Sequence, residues 1–246
     1  MRPAFLITAL ALASAAVPAR AGPPYLTDDP DPTDLRHWEI YAFATGEHSN
    51  ASADHDLDAD AGFDINYGAL KGVQLTATVP LSFSHEALSK WRSGTGDVEL
   101  AVKYRFFDDQ KSGFSAAIFP RAILPTSSLA AQEQTRLLLP LWVKKDFSGS
   151  TSVFGGGGYE INPGIGNRDF WQAAAAVTHD LDKKVSVGAE VAWQQPDSIG
   201  GTNQVRAGVG TIVKLSDHYA LLFSGGPTWA DHQTGYHFYG ALGLDF

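Results

Sequence analysis

Apolar and polar residues alternate along most of this chain with a period of two. From Asp97 to Phe107, Val98, Leu100, Val102, Tyr104 and Phe106 interleave with Asp97, Glu99, Ala101, Lys103 and Arg105. Successive side chains of a strand point to opposite sides, so this segment is a β-strand with one apolar and one polar face. The same rhythm runs through Val73–Phe83, Val185–Gln194 and Val205–Leu215, and helical spacing does not compete in any of them. The pattern predicts twelve strands, near 37–46, 57–68, 72–84, 97–107, 113–124, 135–145, 150–162, 169–180, 184–195, 204–215, 218–229 and 235–246. Their lengths suit the ~9–11 tilted residues with which a strand crosses a bilayer.

The connections between these strands alternate in length. Those after the even strands are short: Ala69–Lys71, Asp108–Ser112, Asp146–Gly149, Leu181–Lys183 and Ser216–Asp217. Those after the odd strands are longer and polar, as in Glu47–Asp56, His85–Gly96, Thr126–Gln134 and Pro196–Asn203. Tight turns at one rim and larger loops at the other are expected of a membrane barrel with both termini in the periplasm. A soluble sandwich puts long loops at both ends in no regular order. The expected fold is therefore all-β, a twelve-stranded antiparallel up-and-down transmembrane barrel spanning 37–246.

Alternation alone does not separate a barrel from a sandwich, because a sandwich buries its apolar face against a second sheet and a barrel turns that face to lipid. The placement of charge adds to the case. With the apolar set outward, the inward set collects Glu39, Asp58, Asp60, Asp64, Glu99, Lys103, Arg105, Arg121, Arg136, Lys144, Glu160, Glu190, Arg206, Lys214 and Asp245, and no charge is left outward. Trp38, Tyr67, Phe83, Phe106, Tyr159, Trp171, Trp193, Tyr219 and Trp229 lie near strand ends, where they would form aromatic girdles. In the last strand Tyr236, Phe238, Gly240, Leu242, Leu244 and Phe246 occupy every second position. Of these, Tyr236, Phe238, Leu242, Leu244 and Phe246 resemble the terminal signal by which the barrel-assembly machinery recognises outer-membrane proteins.

The first 21 residues are an address. Arg2 is a short positive n-region, Ala4–Ala16 an apolar run and Ala19-Arg20-Ala21 an A-x-A site, which together read as a cleaved secretory signal peptide. A membrane anchor needs about 20 apolar residues and this run is shorter. Its removal takes away Arg2 and Arg20 and moves the formal charge from −9 to −11. With no Lys/Arg-rich run, the acidic mature chain lacks the footprint of nucleic-acid binding. The absence of cysteine rules out a disulfide scaffold and thiol catalysis. The expected location is the outer membrane of a Gram-negative bacterium, with lipid and lipopolysaccharide around the barrel.

Two blocks go beyond the general pattern. Pro23-Pro24-Tyr25-Leu26-Thr27-Asp28-Asp29-Pro30 leads into His37-Trp38-Glu39-Ile40-Tyr41, and Gly94-Thr95-Gly96-Asp97-Val98-Glu99-Leu100-Ala101-Val102-Lys103-Tyr104-Arg105-Phe106 follows. Together they resemble the family of outer-membrane proteins named for the meta-pathway of phenol degradation. The resemblance implies an outer-membrane barrel that passes small solutes, aromatic ones among them, and implies no catalytic residues.

A search for other chemistry finds little. His48, Asp54, His55 and Asp56 in the loop Glu47–Asp56 offer ligands to a divalent cation, but a solvated acidic loop accounts for them better, and no metal or cofactor is expected. Asp28, Asp29, Asp31 and Asp34, among three prolines in segment 22–36, read as a solvated periplasmic tail; the alternative is a tail folded into the lumen as a partial plug. Gly155–Gly158 has no following Lys-Ser/Thr and is no phosphate loop. An outer-membrane lipid-modifying enzyme needs a serine paired with a histidine, yet parity sends His179 outward and Ser186 inward. The sequence thus points to a passive channel for small solutes, using lumen residues Glu39, Asp64, Glu99, Lys103, Arg105, Arg121, Arg136, Glu160, Glu190, Arg206 and Lys214. A non-conducting structural barrel, the lipid-modifying enzyme and a soluble sandwich are the alternatives.

Overall fold

The computed structural model describes residues 24–49, 56–85, 90–129, 133–147, 150–231 and 233–246. The signal-peptide reading and residues Asp54 and His55 of the suggested metal loop lie outside them. The strands are β1 (Trp38–Ser49), β2 (Asp56–Leu70), β3 (Val73–His85), β4 (Arg92–Thr95 and Glu99–Asp109), β5 (Phe114–Ile118 and Arg121–Ile123) and β6 (Arg136–Asp146). They continue as β7 (Thr151–Ile161), β8 (Phe170–Asp180), β9 (Val185–Gln194), β10 (Gln204–Lys214), β11 (Tyr219–Ala230) and β12 (Gln233–Asp245). Each pairs antiparallel with its neighbours in sequence, and β12 returns to pair with β1 from Glu39↔Asp245 to His48↔Tyr236. The result is a closed twelve-stranded barrel with no free edge. Phe246 completes the seam, since its N–H donates to the Trp38 carbonyl and the Trp38 N–H donates back.

Two strands are interrupted, and proline explains where. A proline has no N–H to give a ladder. Pro120 splits β5, and the carbonyls of Pro120 and Pro140 accept instead from Val102 and Phe119. The break in β4 at 96–98 lies beside Pro80, whose carbonyl takes the Gly96 N–H. The chain after β5 repairs that break, with the Val98 N–H donating to Thr126 Oγ1 and the Thr126 hydroxyl to the Gly96 carbonyl.

The apolar set is on the outside. Phe63, Leu75, Val79, Leu100, Val102, Leu139, Trp171, Val191 and Phe223 are all exposed and form an apolar belt around the barrel. Aromatic residues pair across strands at its rims: Trp38 with Tyr67 at the short-turn end (centroids 4.5 Å apart) and Tyr159 with Trp171 at the other (5.1 Å). A charge does stand on the outward parity, contrary to the sequence reading. Lys145 is at the short-turn rim, where its long stem lets the ammonium reach the Ser112 carbonyl beyond the belt.

The alternation of loop lengths also fails once. Ala230 pairs with Gln233, so only two residues join β11 to β12 at the long-loop rim, with Asp231 in the left-handed region at φ 47°. A local turn of this kind is accessible to aspartate and does not depend on which rim it closes.

Candidate functional site

The lumen is occupied by the chain's own N-terminal segment. Residues 24–36 pass inside the barrel, where Thr27 and Asp29 are fully buried and Thr33 is 3% exposed. The solvated-tail reading of Asp28, Asp29 and Asp31 therefore gives way to the alternative of a plug. The segment leaves the lumen at the short-turn rim. There Leu35 bridges to Gly68, the Arg36 N–H donates to the Gly68 carbonyl and Arg36 turns at φ 64°. A side chain at position 68 would stand 1.8 Å from the Asp34 carbonyl, so glycine lets the segment cross the wall.

Acidic residues of the segment meet basic residues of one wall. Asp28 bridges two cations, with its Oδ1 2.8 Å from Lys103 Nζ and its Oδ2 2.8 Å from Arg121 Nη2. Asp31 pairs with Arg105 Nη1 at 2.7 Å and with Lys144. Asp29 Oδ1 lies 3.7 Å from Lys103 Nζ and accepts the Asp31 N–H. The Phe119 ring forms a floor under both Lys103 and Arg121, its centroid 4.8 Å from Nζ and 4.2 Å from Cζ.

These contacts divide the two carboxyls. Burial pushes Asp28 up, but Lys103 and Arg121 outweigh it and hold the group below the ordinary carboxylate value. Burial, with Asp31 and Asp28 beside it, drives Asp29 well above that value. Burial and Glu190 together push the Tyr25 phenol up to about 12.

Neutral contacts complete the docking. The Thr33 N–H and hydroxyl both donate to Gln74 Oε1, and Gln74 is itself held by Asn66 and Thr76. The Thr27 N–H and hydroxyl each donate to Glu190 Oε2 at 3.0 Å. Tyr25 packs on Phe154 and Ala176 and lies across two glycines, where a Cβ at Gly188 would come 2.4 Å from its hydroxyl and one at Gly210 2.7 Å from its ring.

Beyond the plug, toward the long loops, the lumen opens into a vestibule of about 610 Å³. Its floor is Pro24, Tyr25 and Leu26, and Glu47, Asp58, Asp60, Arg92 and Arg206 supply its charge. Arg206 is held to Glu47 Oε2 at 2.7 Å.

The residues predicted to face the lumen therefore serve different ends. Lys103, Arg105, Arg121 and Glu190 hold the plug, and Glu39 Oε2 lies 3.2 Å from Thr33 Oγ1 as an alternative acceptor for its hydroxyl. Glu99 pairs with Arg121 at 3.1 Å, Glu160 with Arg136 at 3.2 Å and Asp64 with Asn66. Arg206 belongs to the vestibule wall, and Lys214 is partly exposed at the end of β10. The ion pairs that reach into the lumen join wall to segment. Sequence reasoning missed Asn66, Gln74, Thr76 and His237, for which only inward parity was a signal.

His179 and Ser186 stay apart as parity requires: the histidine bonds Thr151 Oγ1 outside, and the serine donates to Asp180 inside. His48 packs its ring on Tyr236, 4.8 Å between centroids. Among the described residues no group of three or more potential ligands is placed to hold a metal ion.

No protein-family profile matches the chain, and no curated sequence does. Solved structures with the same fold exist. An outer membrane channel from Pseudomonas putida F1 superposes with a TM-score of 0.73 over 88% of this chain and 99% of that one, at 10% identity. The KdgM porin gives 0.57 over 85% and 99%, at 12% identity. The translocator domain of the autotransporter NalP from Neisseria meningitidis gives 0.53 over 86% and 89%, at 14% identity. At these identities the likeness shows the fold. The chain has the closed twelve-stranded antiparallel β-barrel found among bacterial outer-membrane proteins.

Proposed function

We propose that this protein is an outer-membrane channel for small solutes whose bore is set by its own N-terminal segment. The observation that carries the reading is how the segment is held: mainly by ion pairs and hydrogen bonds from Asp28, Asp31, Thr27 and Thr33 to the wall. Such contacts break and re-form without disturbing a packed core. The vestibule above them is where a solute would arrive. In this reading the short turns lie in the periplasm, the leader at 1–21 directs export, and the assembly machinery reads Tyr236, Phe238, Leu242, Leu244 and Phe246. Lipid and lipopolysaccharide surround the belt.

We include aromatic solutes among the candidates; the CymD monoaromatic hydrocarbon channel, which has the same fold with a TM-score of 0.53 at 7% identity, is an example of a barrel named for such a solute. The resemblance to the meta-pathway family points the same way and rests on the two sequence blocks alone. The test is planar-bilayer conductance of the refolded protein and of a variant lacking 24–35. A larger conductance in the shortened barrel supports the channel. No conductance in either leaves the structural barrel, a reading favoured by the complete burial of Thr27 and Asp29.

A further inference from the structure

Four bases of the wall meet two carboxylates of the segment oxygen by oxygen. Lys103 Nζ and Arg121 Nη2 each lie 2.8 Å from one oxygen of Asp28. Arg105 Nη1 and Lys144 Nζ take the two oxygens of Asp31, the first at 2.7 Å. Lys103 Nζ also lies 3.3 Å from the Asp31 carbonyl and 3.7 Å from Asp29 Oδ1, so one ammonium links the two halves. Arg105, Arg121 and Lys144 each keep a wall acid as well, in Asp108, Glu99 and Asp146, whereas both ion pairs of Lys103 go to the segment.

A local turn presents the two carboxylates to this wall. The Asp29 N–H donates to Asp28 Oδ1, the Asp31 N–H donates to Asp29 Oδ1, and Pro30 between them is fully buried. What the wall grips in Asp28 and Asp31 is mainly carboxylate, and a guanidinium fork or an ammonium recognises that group whichever molecule carries it. Water already reaches both guanidiniums beside the docked segment, since Arg121 and Arg105 keep 23% and 25% of their side-chain surface exposed.

We propose that Lys103, Arg121, Arg105 and Lys144 form a binding site for a small organic dianion, two carboxylates on a flexible chain, whose places Asp28 and Asp31 hold while the segment is docked. The room for this solute is the space that 28–31 fill, so it binds after release and competes with the segment's return. One carboxylate replaces half of the hold, and an uncharged analogue replaces none. The proposal rests on the channel reading and deepens it by naming a class of solute. A ligand that binds the released state alone raises the population of that state by mass action. The tether gives the segment an effective concentration of about millimolar or above, so the free solute acts at roughly 10–100 mM.

Exposure of position 27 in the full-length protein tests it. Thr27→Cys is the only cysteine in the chain and is fully buried while the segment is docked. Its labelling by a maleimide should accelerate saturably, about 3- to 10-fold, in ~50 mM adipate relative to sodium chloride of equal ionic strength. Hexanoate should give a smaller acceleration and adipamide none. With Lys144→Met added, which removes one cation of the second pair, adipate should do no better than hexanoate. Adipate that acts no more strongly than chloride, hexanoate or adipamide overturns the proposal, and so does an undiminished advantage of adipate in folded Lys144→Met. If Lys144→Met does not fold, the comparison of solutes on the unaltered wall decides by itself. Labelling that proceeds in chloride and ignores adipate refutes the dianion site and leaves a segment that moves. No labelling in any solution refutes the site together with the reading of a bore set by a releasable segment.

Discussion

Asp28 is the residue on which docking of the segment depends most, and Asp28→Asn isolates its charge. Its carboxylate joins Lys103 and Arg121, with side-chain exposures of 15%, 5% and 23%. Removing one partner of a buried ion pair typically costs about 3–5 kcal/mol. The asparagine keeps one acceptor, and Arg121 keeps Glu99 at 3.1 Å, so we expect about 2–3 kcal/mol, allowing for partial exposure. At about 1.4 kcal/mol per tenfold, the released population should rise roughly 30- to 150-fold. The chain has no cysteine, so Thr27→Cys, at a fully buried position, gives a unique reporter. Its modification by a membrane-impermeant maleimide tracks release when reclosing is faster than reaction. The same acceleration should appear in Lys103→Met, and the double variant should fall short of the product because the two share one contact. Equal labelling rates with and without Asp28→Asn would refute the assignment of docking to this ion pair.

Other outcomes follow from the same geometry. Docking raises Asp29 above the ordinary carboxylate value, so Asp29 favours docking at low pH and this contribution fades as pH rises through the group's raised value; Asp29→Asn should remove that loss of protection at Thr27→Cys with rising pH. Asp28 has the opposite sign, its contribution being present above the ordinary carboxylate value and lost as pH falls through its lowered one. Gly210→Ala should crowd the Tyr25 ring and speed labelling, and Tyr25→Ala combined with it should bring no further increase. Val79→Arg on the lipid face should destabilise the barrel in vesicles by about 2–4 kcal/mol, and Thr78→Arg on the inner face by much less; equal urea midpoints would reject the assignment of faces. If the shortened barrel conducts, reversal potentials should show anion preference, because release of 24–35 leaves Lys103, Arg105, Arg121 and Lys144 along one wall.

The barrel was legible because strand parity and charge are local properties of sequence. All twelve predicted strands exist, although β4 begins earlier than predicted, since Arg92–Thr95, read as part of the loop His85–Gly96, already pairs with β3. Ala101 shows where this kind of reading stops. It has inward parity, which in an open lumen makes it tolerant of a charge, yet it is 6% exposed and packed with Phe119 and Trp142. Occupancy of the lumen is not a property of any strand. It arises from long-range complementarity between Asp28, Asp29 and Asp31 and bases some 75 to 115 positions away. The sequence held one hint of it. Lys103, Arg105, Arg121 and Lys144 lie on three successive strands, where Asp108, Glu99 and Asp146 pair with Arg105, Arg121 and Lys144 and the ion pairs of Lys103 both go to the segment.

That imbalance also explains why the segment is separable from the fold. Every strand of the barrel already has two hydrogen-bonded neighbours, and the seam closes through β1 and β12. Among the described residues the segment joins this ladder at Gly68, where Leu35 and Arg36 leave the lumen. Its remaining hold is on side chains. Releasing it therefore breaks no sheet, but it takes an acidic partner from each of four wall cations and Thr27 from Glu190, leaving Arg121 with Glu99, Arg105 with Asp108 and Lys144 with Asp146. In a dry lumen that charge would oppose release strongly, whereas in a lumen that admits water and salt the ammonium and guanidinium groups are resolvated as the segment leaves. On the channel reading, the balance between a docked and a released segment would be governed by how readily water follows the segment, the condition under which a barrel closed by its own chain can open.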